Sequence, residues 1–330
     1  MRTAVSAPSL ESLRRQCVES CTRKVPPEKL DVSGLQSVRE YHPEDMTVTV
    51  ESGLAWSALG DVLGAHGQWI PVDPVHPERV TVEDVVSRNL SGPRRCGYGT
   101  IREHLIGMEA LLADGRLIHA GGRVVKNVAG FDLHRLWVGS GRSLGILIAA
   151  TFRLRPRPEK TVYLTHEFAN VSKMIEAVER WRSMPLEPVV LDAYGGSLMG
   201  LQEPRCQVVV AFEGDGPAVD WQSAQLPELK MISPEGLDYE SVFRHQGVPG
   251  GGEGSCQRGS VPPADLLRLL ERAGRSAWLA RVADGVVYAR SPEPAFLELG
   301  RPAPDPVAER LRNEVREAFD PLGLWKHQDA

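Results

Sequence analysis

The chain has 330 residues, of which 42% are hydrophobic and 25% are charged, the composition of an ordinary globular protein. Its 38 lysines and arginines against 43 aspartates and glutamates give a net charge of -5, which argues against a general nucleic-acid binder, because such proteins need a basic face. The 32 glycines and 25 prolines follow no repeat, so collagen-like and low-complexity classes are excluded.

The sequence shows no sign of a membrane protein or of a disulfide framework. Its longer apolar stretches, such as residues 144–150, fall far short of the about 20 residues that a membrane-spanning helix needs. The N-terminus lacks the apolar region of a signal peptide, so we expect a cytoplasmic protein. The five scattered cysteines are typical of reduced thiols. Cys17 and Cys21 would share one helix face, which leaves a metal or redox role open.

Apolar spacing and turn residues predict alternating helices and strands in the first half of the chain. Ser9 can cap a helix over residues 9–23, because Leu10, Leu13 and Cys17 recur at helical spacing. The elements that follow are a strand at 46–50, a helix at 55–66 closed by Gly67, a strand at 69–72, a helix at 82–89, a strand at 105–112, a hairpin turn at Asp114-Gly115, its partner strand at 117–120, and a strand at 144–154.

A domain boundary is predicted at residues 153–160, where two prolines and four cations mark a linker or an exposed turn. The second half then alternates strand and helix like a small α+β sandwich. Its predicted elements are a strand at 162–167, a helix at 171–184 capped by Ser172, strands at 189–193 and 207–213, a loop at 247–263, a helix at 264–273, strands at 277–281 and 285–289, and a helix at 306–319.

The most informative region lies between residues 90 and 154, where short strands are broken by glycine turns. Such turns let backbone N–H groups approach a ligand closely, because no Cβ stands in the way. By composition alone, a glycine-punctuated sheet without a ligand remains the alternative. The runs in question are Ser91-Gly92-Pro93-Arg94-Arg95, Tyr98-Gly99-Thr100-Ile101-Arg102, the segment from Gly121 to Leu133, Gly139-Ser140, and Ser143-Leu144-Gly145-Ile146.

These runs resemble the flavin-binding domain of the vanillyl-alcohol-oxidase and para-cresol-methylhydroxylase (PCMH) type. Within that superfamily the chain is most similar to the small flavin subunits of bacterial glycolate oxidase (glycolate dehydrogenase) complexes. Residues 30–35, 47–53, 71–74 and 319–323 fit the same pattern. The resemblance is close over residues 28–156 and loose over the C-terminal half.

The resemblance implies an α+β protein with a PCMH-type FAD-binding fold of two α/β subdomains, followed by a smaller α+β cap-like domain. We expect the first domain at residues 1–156, the cap-like domain at 157–304, and a segment at 305–330 that packs back on the first domain. It assigns no catalytic residue and no metal. The residues that would line the FAD are Pro71, Asp73, Pro74, Asn89, Ser91, Gly92, Tyr98, Gly99, Thr100, Ile101, Gly145 and Ile146.

The implied function is that of a subunit in a complex that oxidises glycolate or another 2-hydroxy acid. Its partners would be a flavin-bearing catalytic subunit and an iron–sulfur subunit, with no nucleic acid and at most peripheral membrane association. Two alternatives remain, namely a non-catalytic pseudo-flavoprotein scaffold and a stand-alone FAD-dependent oxidoreductase.

The chain departs from the family pattern where the FAD phosphates should approach. Residues 21–29 hold two prolines and no glycine in place of a glycine-rich loop, and proline removes an N–H donor. Glu83 and Asp84 stand where the family has two glycines, and Leu324 to His327 replace an Asn-Pro-Gly motif. Phe131 replaces a tyrosine. These changes predict a chain that keeps the fold and binds FAD weakly or not at all.

Other candidate residues lack a functional pattern. The nine histidines form no spaced ligand set, and His134 is interpreted as a surface or core residue rather than a base. Two interpretations of Arg94 and Arg95 remain open. They bind a phosphate or the carboxylates of a partner, or they form ordinary salt bridges. Lys126 with Asp132 is interpreted as a structural ion pair.

Overall fold

The computed structural model describes residues 9–25, 30–122, 132–195, 205–233, 256–272, 277–290 and 305–325. The chain divides into two compact units. Unit 1 comprises Met1–Gly92, Gly99–Arg157 and Pro304–Ala330, and unit 2 comprises Pro93–Tyr98 and Pro158–Ala303.

Helices and strands follow one another along the described chain, in several places as runs of one type. The helices are α1 (Leu10–Arg23), α2 (Trp56–Gly64), α3 (Val82–Ser87), α4 (Arg95–Tyr98), α5 (Ile101–His104), α6 (His134–Trp137), α7 (Val171–Arg182), α8 (Gly216–Ala224), α9 (Pro263–Glu271) and α10 (Pro306–Phe319). The strands are β1 (Val38–His42), β2 (Thr47–Glu51), β3 (Gln68–Trp69), β4 (Leu105–Leu111), β5 (Leu117–Gly121), β6 (Ile146–Arg153), β7 (Arg155–Pro156), β8 (Lys160–Phe168), β9 (Val190–Gly195), β10 (Cys206–Gly214), β11 (Lys230–Ile232), β12 (Cys256–Ser260), β13 (Ala277–Arg281) and β14 (Val286–Arg290).

Unit 1 is built on a five-stranded sheet in the order β1-β2-β6-β4-β5, whose neighbouring strands are antiparallel. Side chains on a strand alternate between the two faces, and a register irregularity, where Glu109 and Ala110 of β4 pair with Ala149 and Leu147, shifts this alternation within β6. Strand β6 therefore supplies two cores. Leu147 and Phe152 belong to the core that includes residues of α2 and α3, whereas Ile146 and Ile148 belong to the core that includes Leu13 of α1. Both faces of this sheet are therefore covered.

The C-terminal segment 305–325 packs within unit 1. The Phe319 ring meets the Trp137 ring edge-on with 5.2 Å between centroids. Trp325 is fully buried beside Leu13 and Ile148 in the second core. Asp320 fixes this end of the chain, because its carboxylate accepts hydrogen bonds from the backbone N–H groups of residues 324 and 325.

Unit 2 is built on a seven-stranded sheet in the order β11-β8-β10-β9-β13-β14-β12. All its strand pairs are antiparallel. Residues of α7, α8 and α9 form the large core on one face with Val208, Val210 and Phe212 of β10. The other face carries a smaller cluster that includes Tyr163 and Tyr194.

Most predicted elements are present, and three predictions need correction. Ser9 caps α1 as predicted, but Asn170 rather than Ser172 caps α7, because its side chain accepts a hydrogen bond from Lys173 N at 2.9 Å. The stretch 153–160 is no bare linker, since β7 and the start of β8 lie within it. Residues 256–260, predicted as loop, form β12, which pairs with β14. The rest of that loop prediction up to residue 255 lies outside the described residues.

Candidate cofactor site

Two turns that the sequence assigns to the cofactor lie against each other in unit 1. A Cβ at Gly92 would overlap the carbonyl oxygen and the carboxylate of Asp73, so only glycine fits there. The Trp56 indole N–H holds the first turn by donating to the Val72 carbonyl at 3.0 Å. The structure thus brings Pro71, Asp73 and Pro74 next to Ser91 and Gly92. The close approach at Gly92 is between two protein backbones.

Asn89 lies where α3 meets residues 139–146, a segment that contains the predicted cofactor residues Gly145 and Ile146. Its backbone is left-handed, with φ of 50°. Gly139 N donates to the Val86 carbonyl at 3.0 Å, and Gly141 N donates to the Ser87 carbonyl at 2.8 Å. Among the residues that the structure describes, the buried Oδ1 of Asn89 and Oγ of Ser140 have no hydrogen-bond partner. A ligand group could satisfy these two polar atoms.

The other predicted cofactor residues have local structural roles. The Thr100 hydroxyl and the Glu103 carboxylate form the capping box of α5, and Gly99 takes a φ of 79° before it. Gly145 has a φ of 148° and packs against the Leu111 carbonyl. Ile101 and Ile146 are fully buried in the two cores of unit 1. Tyr98 belongs to unit 2.

Glu83 is the buried carboxylate of this region, and the sequence alone did not show its partner. The Arg142 Nε donates to both Glu83 carboxylate oxygens at 2.8 Å, and Nη2 makes a further hydrogen bond. The Glu83 side chain is almost wholly buried. Burial raises the pKa of the Glu83 carboxyl above its usual range, although the hydrogen bonds from Arg142 act in the opposite direction. The positive φ of 67° at Arg142 is a property of the folded backbone, so no sequence pattern identifies Arg142 as the partner of Glu83.

The position of Glu83 and Asp84 at the phosphate approach stays a prediction, but the structure shows a local structural role for Asp84. Its carboxylate accepts hydrogen bonds from Thr81 N at 3.0 Å and from Thr81 Oγ1 at 2.8 Å. The Thr81 hydroxyl in turn accepts from Asp84 N, which completes a capping box at the start of α3. Asp84 is therefore explained by the helix that it caps.

FAD fits this region only in part. The uncharged oxygen atoms of Asn89 and Ser140 can accept hydrogen bonds from hydroxyl or N–H groups of a cofactor. The backbone N–H groups at the start of α3 are already used: Val82 N donates to Leu54 O at 2.9 Å, Glu83 N to Ser52 O at 2.8 Å, and Asp84 N to Thr81 Oγ1 at 3.2 Å. These described residues therefore offer no free backbone donor to a diphosphate, and Glu83 adds a carboxylate.

Arg94 and Arg95 form ion pairs within unit 2, which favours the structural alternative for these residues. Arg94 Nη2 lies 2.8 Å from a carboxylate oxygen of Glu213, whose side chain is fully buried, and it donates to the Tyr163 hydroxyl at 2.5 Å. Arg95 Nε lies 3.5 Å from the Asp284 carboxylate. These contacts tie residues 93–98 to the sheet of unit 2.

The remaining titratable candidates show no assembled site. Burial lowers the pKa of His134, and its ring lies inside unit 1. Asp132 pairs with Arg135 at 3.4 Å, while Lys126, its predicted partner, lies outside the described residues. Within the described ranges, the only group of potential metal ligands is His42, Glu44 and Asp45 at the surface.

The described cysteines are free thiols, as expected for reduced cysteines. They are Cys17, Cys21, Cys96 and Cys206. Burial raises the pKa of Cys17 to about 12, and the thiol lies in the core of unit 1. A protonated, inaccessible thiol is a poor metal ligand or redox group, so Cys17 has a packing role, and Cys21 packs partly buried against the same core.

Comparison with known proteins identifies the family. Residues 25–121 match the family model described as "FAD binding domain". Over 319 residues, 92% of this chain and 87% of the relative, the sequence is 34% identical to glycolate oxidase subunit GlcE of Escherichia coli (strain K12). The chain belongs to the GlcE family. The family resemblance predicted from the glycine motifs is thereby confirmed. The chain belongs to an oxidoreductase family whose cofactor is FAD.

Other relatives match parts of this GlcE-family chain. Glycolate oxidase subunit GlcD of Bacillus subtilis (strain 168) is 29% identical over 56% of this chain and 41% of that protein. A probable mitochondrial D-lactate dehydrogenase of Danio rerio is 36% identical over 43% of this chain and 29% of that protein. The chain thus spans less than half the length of these two relatives.

A solved structure supports the predicted fold class. An alkyldihydroxyacetonephosphate synthase superposes with a TM-score of 0.71 at 15% identity, covering 96% of this chain and 75% of that chain. At this identity the likeness concerns the fold alone, which combines helices with antiparallel sheets as an α+β fold does. No helix in the described parts of the chain has the length and apolar character needed to cross a membrane.

Proposed function

We propose that this chain is the FAD-binding-type subunit of a complex that oxidises glycolate or a related 2-hydroxy acid, with weakened flavin binding. The observation that carries the proposal is the match to a glycolate oxidase subunit along nearly the full length of both chains. In this proposal unit 1 is the FAD-binding-like domain and unit 2 the cap-like domain. The partners are a flavin-bearing catalytic subunit and an iron–sulfur subunit, and the complex is cytoplasmic.

The residues proposed to contact the cofactor are those of the adjoining turns and of the segment beside α3. Bound FAD supplies the capacity to accept a hydride, and the protein supplies position and electrostatics. Asn89 and Ser140 would hold uncharged polar groups, because their buried oxygen atoms lack partners among the described residues. Gly92 and Asp73 keep the two turns in contact, which fixes the backbone around them. No described residue is assigned a catalytic role.

A non-catalytic scaffold subunit is the second candidate, and one observation favours it. The Arg142 guanidinium binds the Glu83 carboxylate in the region where the family places glycines for the diphosphate. A chain that holds no flavin would contribute only binding surfaces to such a complex. The two functions share the same partners and differ in flavin content.

The experiment is isolation of the tagged chain from its native host, followed by identification of the co-eluting chains and a flavin absorbance spectrum. The proposal predicts co-elution with a flavin-bearing subunit and an iron–sulfur subunit. A chain that elutes alone, colourless and monomeric would overturn it. A chain that elutes alone with one flavin per chain would overturn it in favour of a stand-alone oxidoreductase.

A further inference from the structure

We infer that the Glu83–Arg142 ion pair sets the affinity of this chain for the diphosphate of a dinucleotide, by placing a protein carboxylate on the guanidinium that would otherwise bind phosphate. The inference deepens the proposed function and rests on its placement of the cofactor beside Asn89 and Gly145. It makes Glu83 and Arg142 specificity-determining residues for the phosphate-bearing part of the ligand.

The pair joins the two segments assigned to the cofactor. Glu83 lies on α3, which leads directly into the Asn89 turn, and Arg142 lies three residues before Gly145. The segments run side by side, because Gly139 and Gly141 donate backbone hydrogen bonds to the last turn of α3. A ligand group lying between these segments would meet the pair. The unpartnered Oδ1 of Asn89 and Oγ of Ser140 belong to the same two segments.

The backbone at Arg142 indicates that the pair is more than a chance surface contact. Its φ of 67° is a conformation that favours glycine and that costs other residues free energy. Gly141 beside it and Gly139 also have positive φ values, of 58° and 78°, so three of the four residues from 139 to 142 are left-handed. An arginine is kept at a glycine-type position, and the contact that it gains there is with the nearly inaccessible carboxylate of Glu83.

The chemistry of the two groups explains the effect on a phosphate. A guanidinium binds carboxylate and phosphate with the same planar set of N–H donors. Glu83 therefore competes with any phosphate for Arg142, and its own charge repels a second anion in a partly desolvated site. Removing the carboxylate while keeping the arginine should convert Arg142 into a phosphate ligand.

The test uses the full-length chain and two probes that differ only in their phosphates, ADP and adenosine. For Glu83→Gln, we expect ADP to bind at least about tenfold more tightly than to the wild type, the gain of one charge-assisted hydrogen bond. The affinity for adenosine should stay unchanged. FAD and riboflavin form a second pair of probes, of which only FAD carries a diphosphate. Measured by flavin fluorescence, Glu83→Gln should gain affinity for FAD and not for riboflavin.

A second variant guards against misfolding, because Glu83→Gln leaves the partly buried guanidinium of Arg142 without its carboxylate. Glu83→Gly with Arg142→Gly removes both charges and suits the left-handed backbone at position 142. It should bind ADP more tightly than the wild type but less tightly than Glu83→Gln. The matched control is Asp192→Asn, which breaks the buried Asp192–Arg281 pair of unit 2 and should leave the ratio of ADP to adenosine affinity unchanged.

The inference is overturned if neither Glu83 variant changes that ratio, if neither binds ADP detectably, or if ADP and adenosine affinities rise together. It is also overturned if Asp192→Asn gives the same gain. The co-elution experiment does not depend on this ratio, so failure of the proposed subunit role would be recognised separately.

Discussion

At the scale of single residues, we expect substitution by alanine to have opposite effects on stability at Gly92 and at Gly60. A Cβ at Gly92 would overlap the backbone carbonyl of Asp73, whereas a Cβ at Gly60 of α2 would meet nothing within 4 Å. We expect Gly92→Ala to destabilise the protein by about 3 kcal/mol, because backbone atoms cannot move aside cheaply. Gly60→Ala should be neutral or stabilise by up to about 1 kcal/mol. Urea unfolding midpoints measure both, and equal midpoints for the two variants would refute the packing described for the turn at Gly92.

The residue scale is also where prediction from sequence reached its limit. The family motifs named Asn89, Gly92 and Gly145 because glycines and turn residues leave a readable pattern. The spacing of Glu83 and Arg142, 59 residues apart, follows no periodicity, and a positive φ at an arginine contradicts its intrinsic preference. Only the three-dimensional structure shows that the buried carboxylate of Glu83 is paired with the guanidinium of Arg142.

At the scale of elements, periodicity located helices and strands, but the ends depended on individual hydrogen bonds. Helix α10 was predicted at its observed bounds, Pro306–Phe319, because its cap and its proline at the first turn are clear signals. Strand β12 was missed because glycines and prolines surround it, and only its pairing with β14 defines it as a strand. Local composition carries no information about that partner.

The cap of α7 gives a direct test at this scale. Asn170→Ala removes the side chain that accepts the hydrogen bond from Lys173 N, and we expect a loss of about 1 kcal/mol in the free energy of unfolding. Ser172→Ala, at the residue that the sequence suggested as the cap, should change it by less than about 0.5 kcal/mol. Thermal unfolding of the two variants tests which residue caps α7. A larger loss of stability for Ser172→Ala than for Asn170→Ala would contradict the assignment to Asn170.

At the scale of the whole molecule, the sequence predicted a PCMH-type fold because its glycine motifs are specific to that family. It could not predict that residues 93–98 belong to unit 2, since the contacts responsible lie far along the chain. Arg94 reaches Glu213 across 119 residues, and Arg95 reaches Asp284. Ion pairs within unit 2 hold this run, and the contact of Tyr98 with a cofactor stays a prediction.

At this scale, a family whose cofactor is FAD is combined with a chain in which two residues that we propose to lie beside the phosphates bind each other. Glu83 is neutralised by Arg142, and the neighbouring N–H donors of α3 are used within unit 1. We propose that the fold is retained while the affinity for the phosphate-bearing part of the cofactor is lowered. A partner subunit in the complex would then carry the flavin that performs the oxidation.

The most direct measurement of this claim is the flavin content per chain, determined from the flavin absorbance of the isolated protein after gel filtration. The co-purified complex, measured in the same way, serves as the reference. We predict well under one flavin per isolated chain, with flavin retained by the complex. One flavin per isolated chain would contradict the account.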